Sequence, residues 1–222
     1  MSTLQPLAAR GSEVSWTAVW PWAALALLGV YHGVNPGMGW LFAVGRGLQE
    51  RRRSAVFGAL VPIALGHELS IVLVVVAVVL TQAFVPPHTV RLVAALALVT
   101  VGLYTLVRPR AHPRGFGMRV GALGLAAWSF LMSSAHGAGL MVAPVLLGLP
   151  VSDQYGDLRQ LGATAALAAT VHVVAMVTVM AVVAVVVYEK LGLGLLRRSW
   201  FNLDLAWSAV LLVAGAVTLF SV

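Results

Sequence analysis

Tyr31-His32-Gly33-Val34-Asn35-Pro36-Gly37-Met38-Gly39-Trp40 sits between two long apolar runs and holds a histidine, an asparagine, a proline and three glycines. An uninterrupted membrane-spanning helix has no use for that mixture. Proline lacks an N–H and clashes with the turn before it, so a helix arriving at His32 must break or kink near Asn35. Glycine lets other backbone, or a ligand, come close. A break frees carbonyl and N–H groups, and at membrane depth these are tolerated only inside protein or facing a wet cavity. The stretch is therefore expected to form half of a substrate site.

The flanking sequence sets the class. The chain has 222 residues, of which 60% are hydrophobic and 9% charged. That composition is wrong for a soluble domain, and several apolar runs exceed the length needed to cross a bilayer. The expectation is an all-α polytopic membrane protein, with residues 1–222 forming a single integral membrane domain. The formal charge is +7, but its arginines are scattered through short connections rather than along one stripe, which argues against nucleic acid as a partner. Cysteine is absent, so disulfides and thiolate metal sites are excluded. Ala23 to Val34 leads straight into the polar motif without a cleavage site, so no cleaved signal peptide is expected.

Six spans are expected. The first starts near Thr17 behind an aromatic belt of Trp16, Trp20 and Trp22, breaks after His32, and resumes from Gly37 to about Gln49. Glu50-Arg51-Arg52-Arg53 forms a basic turn. The second span runs from about Ala55 to Leu80 and the third from about Val90 to Val107, with Pro86-Pro87 between them. The fourth runs from about Val120 to Leu149, the fifth from about Leu161 to Tyr188, and the sixth from about Leu205 onward, after an interfacial segment from Glu189 to Trp200. The first, third and fifth connections carry arginines, while Asp153 and Asp157 make the fourth acidic. Positive charge collects on the cytoplasmic side, so both termini are expected outside a bacterial inner (plasma) membrane.

The halves look alike. His32-Gly33 opens the polar break of the first span, and His136-Gly137 opens one in the fourth. His67 follows His32 by 35 residues, and His172 follows His136 by 36. Each half reads as broken span, histidine-bearing span, plain span: repeat 1 over about 16–107 and repeat 2 over about 120–222. An odd number of spans per repeat makes the halves cross the membrane in opposite senses, the inverted-repeat plan of many secondary transporters. At about 1.5 Å per residue, His32, His67, His136 and His172 all fall near mid-span. One such histidine is most often a packing residue bonded to a neighbouring serine or carbonyl. Four in repeat-related positions point to a metal-binding cluster.

Glu68 is the carboxylate well inside a span, as a ligand or proton acceptor, or else as a hydrogen-bonded link between helices. Asn35, Ser133 and Ser134 are expected along the substrate pathway. So are Met38, Met141 and Met176, which follow His32, His136 and His172 by six, five and four residues. Thioether with imidazole favours soft ions such as Cu(I), and imidazole with carboxylate suits Ni, Co or Zn. Met132 and Met180 read as gap-filling core residues.

Gly29 to Gly45 followed by Gly58 to Leu73 resembles the first two spans of the nickel/cobalt transporter group, within the lysine-exporter-like superfamily of six-span carriers. His32, Gly33 and Pro36 match the group's first-span motif, and Gly66-His67 its second-span pair. Where the group has Asp and His, this chain has Gly37 and Met38, so only His32 and His67 transfer as ligands; the second half matches in plan. The resemblance implies a six-span carrier.

No phosphate-binding loop or catalytic nucleophile motif is present, so neither an enzyme nor an ATP-driven pump is expected. The leading function is a secondary transporter moving a transition-metal cation (Ni, Co, Zn or Cu), with proton-coupled efflux as one form of it. The alternatives are a carrier of a small organic solute and a membrane metal- or haem-binding protein, since histidines from different helices can serve as axial ligands. The expected partners are the lipid bilayer and the carried ion or solute; an oligomer is left open.

Overall fold

The structure, a computed structural model, describes residues 16–82, 84–107, 120–147, 158–191 and 203–220. All regular structure there is helical: α1 (Trp16–Val34), α2 (Trp40–Glu50), α3 (Arg53–Gln82), α4 (Pro87–Val107), α5 (Ala122–Ala135), α6 (Ala138–Leu147), α7 (Leu158–Val186) and α8 (Leu203–Phe220). Three helices are long and apolar enough to cross a membrane, and a fourth span results if the bent pair α5–α6 is counted as one. Shorter apolar helices cover Val19–Val34 and Ser208–Phe220. Large apolar side chains such as Leu27, Val61, Leu65, Val93 and Val182 point outward, while His32, His67, Ser129, Ser133 and His172 are buried. Polar inside and apolar outside is the arrangement a bilayer demands.

The first break forms where proline and glycine stand together, the second at a glycine. Pro36 cannot donate to His32, so the Asn35 N–H takes the His32 carbonyl instead, at 3.2 Å. Asn35 then caps a 3₁₀ turn, Pro36–Met38, its side-chain oxygen accepting from the Gly37 N–H at 2.9 Å. Gly39 ends that turn with φ +118°, a backbone state that favours glycine. The helix therefore resumes at Trp40 rather than at Gly37, as the sequence suggested. Trp40 also bridges the break, its indole N–H donating to the Val34 carbonyl at 3.0 Å. The second break has no proline. Its chain turns at Gly137, φ +70°, and α5 and α6 bend by 58°.

The packing is an exchange between the two stretches of chain. α1 lies along α7, α5 lies along α3, α4 pairs with α8, and α3 and α7 face each other between them. Glycines set the closest approaches. A Cβ on Gly29 would fall 2.3 Å from the His172 carbonyl oxygen, and one on Gly33 would fall 2.5 Å from that of Met176. These glycines, four residues apart, let α1 and α7 touch backbone to backbone, as small residues do at membrane helix interfaces. Gly66 does the same for α3 against Ala126 of α5, where a Cβ would clash with the carbonyl at 2.0 Å. At one end of the bundle Arg53 pairs with Glu189 at 3.2 Å, joining the start of α3 to the π-helical turn Val187–Leu191 after α7. The arginine-rich loop 108–119, Asp153 and Asp157 of the acidic loop, and Arg197, Arg198 and Trp200 lie outside the described residues.

Candidate metal centre

Three of the four histidines meet. His32 comes from α1 two residues before its end, His67 from the middle of α3, and His172 from α7. All three are fully buried. Their ligand nitrogens lie within 4.8 Å of one another. Ring centroids are 5.2 Å apart for His32–His67, 4.9 Å for His32–His172 and 5.6 Å for His67–His172, the last pair stacked at 10°.

Hydrogen bonds fix which nitrogen faces inward. His32 Nδ1 donates to the Leu28 carbonyl at 2.7 Å, and His172 Nδ1 donates to the Leu25 carbonyl at 3.2 Å. A carbonyl only accepts, so each ring carries its proton on Nδ1 and its lone pair on Nε2. An outer N–H held by a backbone carbonyl is the usual second partner of a metal-binding histidine. Both carbonyls belong to α1, one helix turn apart, so α1 orients its own imidazole and one from α7. The α1–α7 contact at Gly29 is what brings His172 within reach of Leu25.

His67 closes the set. Its Nε2 lies 3.4 Å from that of His172, and its Nδ1 is buried with no hydrogen-bond partner among the described residues. Since His172 Nε2 carries a lone pair, His67 donates its Nε2–H there. Shifting that proton to Nδ1 would leave each of the three rings with a free lone pair on Nε2. Three nitrogens bound at ~2.0–2.1 Å to a common ion lie roughly 3.3–3.6 Å apart. One pair is already at that spacing, and the outer limit of 4.8 Å leaves about 1 Å for side-chain rotation to close.

The other expected site residues are not members of this set. His136 caps the end of α5, buried, with Nδ1 donating to the Met132 carbonyl at 2.6 Å, and it is not a member of the three-histidine set. Glu68 is half-buried on a different face of α3 from His67, and its carboxylate does not join the set; Oε2 is buried without a hydrogen-bond partner among the described residues. Asn35 holds the break together. Met38, Met141 and Met176 are fully buried in one apolar cluster with Met180. Ser133 is buried with its hydroxyl unpartnered among the described residues, and Ser134 is exposed and hydrogen-bonded to Ser70 at 2.9 Å. Sequence reasoning passed over the carbonyls of Leu25 and Leu28 and the seam at Gly29 and Gly33. The four-residue spacing of those glycines is a recognised close-packing pattern and was the available signal.

An all-helical bundle with apolar helices fit to cross a membrane, and a buried three-imidazole cluster where a broken helix meets two intact ones, is the class that fold and site define. No protein-family model matches the chain, and neither a curated protein nor a solved structure does. The likeness to the nickel/cobalt transporter group rests on the motif residues themselves.

Proposed function

We propose that the chain is a secondary membrane carrier of a transition-metal cation, with six spans arranged as two inverted three-helix units and both termini outside a bacterial inner membrane. The observation that carries this reading is the buried set His32, His67 and His172, with two outer N–H groups already held by α1 carbonyls. Polar groups at such depth are costly and mark pathways for ions and protons. The exchange of broken and histidine-bearing helices between the two stretches supports the inverted plan, because each half then lends one wall to the other's break. An organic solute is less well supported. The ligand nitrogens lie within 4.8 Å of one another, with the His67–His172 pair at 3.4 Å, close to the spacing that a single ion imposes.

Carriage follows from the chemistry of the site. Neutral imidazoles replace part of the ion's hydration shell, and protons compete for the same lone pairs. The decisive experiment is elemental analysis of the detergent-purified protein after metal loading and desalting. Wild type should retain about one ion per chain, while His32→Ala should retain none and still elute as a monodisperse species. Wild type that retains no transition metal under any loading condition would sink the reading.

A further inference from the structure

The charge of the site selects among cations. All three members of the set are imidazoles, and among the described residues no carboxylate joins them. They are fully buried in a bundle whose outward face is apolar. The Born cost of holding an ion in such surroundings grows with the square of its charge, so a dication costs about four times what a monocation does. Neutral ligands do nothing to cancel that difference. The C-terminal end of α1, two residues beyond His32, contributes only about half an elementary negative charge.

Ligand softness points the same way. Met176 stands four residues after His172 on α7, hence on the same helix face, and Met38 follows His32 across the break. Both are fully buried, and with Met141 and Met180 they belong to a single core cluster. Thioether sulfur with imidazole suits Cu(I), whereas hard divalent ions ask for oxygen donors.

We infer that the three-histidine site takes a soft monovalent cation of the Cu(I)/Ag(I) class in preference to divalent nickel, cobalt or zinc, an inference that rests on the metal-carrier reading. Neutral imidazoles satisfy the ion's coordination, burial penalises the second charge, and the buried thioethers give a soft ion further partners along the core.

The test uses the full chain in detergent with Ag(I) as a redox-stable probe, competed against Zn(II), Ni(II) and Co(II). Ag(I) should bind stoichiometrically and resist a hundredfold excess of each divalent ion, a preference of about 100-fold or more. His32→Ala and His172→Ala should lose the ion, and Met176→Leu should weaken it while the protein stays monodisperse. Glu68→Gln should change nothing, because its carboxylate is outside the set. His67→Asp, which adds the missing negative charge, should reverse the preference toward divalent ions. Stoichiometric binding of a divalent ion that Ag(I) cannot displace would overturn the inference and leave the carrier reading standing. Abolition of Ag(I) binding by Glu68→Gln would also overturn it, by placing a carboxylate at the site after all. Failure of every metal to bind would remove both.

Discussion

Gly29→Ala tests the seam that builds the site. The new methyl group would lie 2.3 Å from the His172 carbonyl oxygen, 2.9 Å from the Ala175 Cβ and 3.1 Å from the Met176 nitrogen. Ordinary contact begins near 3.4 Å, so α1 and α7 must part by about 1 Å there. The atoms in the way are mostly backbone and cannot rotate aside. Overpacking of this kind costs about 1–3 kcal/mol. Parting also stretches the Leu25–His172 hydrogen bond, now 3.2 Å, beyond a useful length. Losing such an outer-shell bond typically lowers metal affinity about 10–100-fold, and a shift of about 1 Å far exceeds the ~0.2 Å tolerance of coordination distances. The assay is a pair of measurements, metal affinity by competition and thermal unfolding in detergent, with Gly58→Ala as control. A Cβ at Gly58 meets nothing within 4 Å, so the control should match wild type in affinity. If Gly29→Ala binds metal as tightly as the control does, the claim that helix contact positions His172 is wrong.

Other expectations follow from the same geometry. His136→Ala should keep its bound metal, because His136 lies outside the three-histidine set, whereas His67→Ala should lose it; loss in both would return His136 to the site. At the basic turn, hydrogen bonds from Arg46 and then Arg52 hold the Glu50 carboxyl below its usual range. A depressed folded value means its contribution is present above the unfolded value of about 4.3 and is lost as pH falls through the folded one. Glu50→Gln should therefore flatten the acid side of the stability profile slightly, and an unchanged acid limb would show that the Arg46–Glu50 contact contributes nothing. A reporter that is active only in the cytoplasm, fused after Val222, should be silent if both termini face outward.

The first break was legible because its cause is local. Proline removes a donor and glycine permits φ +118° whatever the rest of the chain does, so Asn35 to Gly39 announces itself. His136-Gly137 was legible for the same reason at φ +70°. The restart of α2 was misplaced by three residues, because the Asn35 cap and the 3₁₀ turn depend on side-chain geometry that a pattern does not specify. Membership of the histidine set was harder. Spacing placed His32, His67, His136 and His172 alike, but assembly depends on which helices touch, and Gly29, Gly33 and Gly66 decide that through contacts between distant parts of the chain. Adjacent residues on a helix are turned about 100° from one another, so Glu68 presents its carboxylate on a different face of α3 from the His67 imidazole.

The source of the three imidazoles bears on how the proposed carrier would move its ion. His32 and the two carbonyls that orient the cluster travel with α1, His172 travels with α7, and His67 travels with α3. A cation bound to all three ties the broken first helix to the intact helices of both halves. If the proposed carrier works by rocking one half against the other, motion along the α1–α7 seam breaks the Leu25–His172 hydrogen bond and draws one imidazole off the ion, while His32 keeps its Leu28 partner. The site would then weaken by losing a whole ligand, whose departure the seam controls, rather than by a gradual stretch of all three. A broken helix suits such motion. The end of α1 at Val34 is joined to α2 by the Trp40 indole and by turn-type backbone hydrogen bonds rather than by the regular helical ladder, so in such a motion α1 and α2 would not have to move as one rigid rod. In the proposed carrier, the two glycines that bring α1 onto α7 would set both how tightly the ion is held and how it is let go.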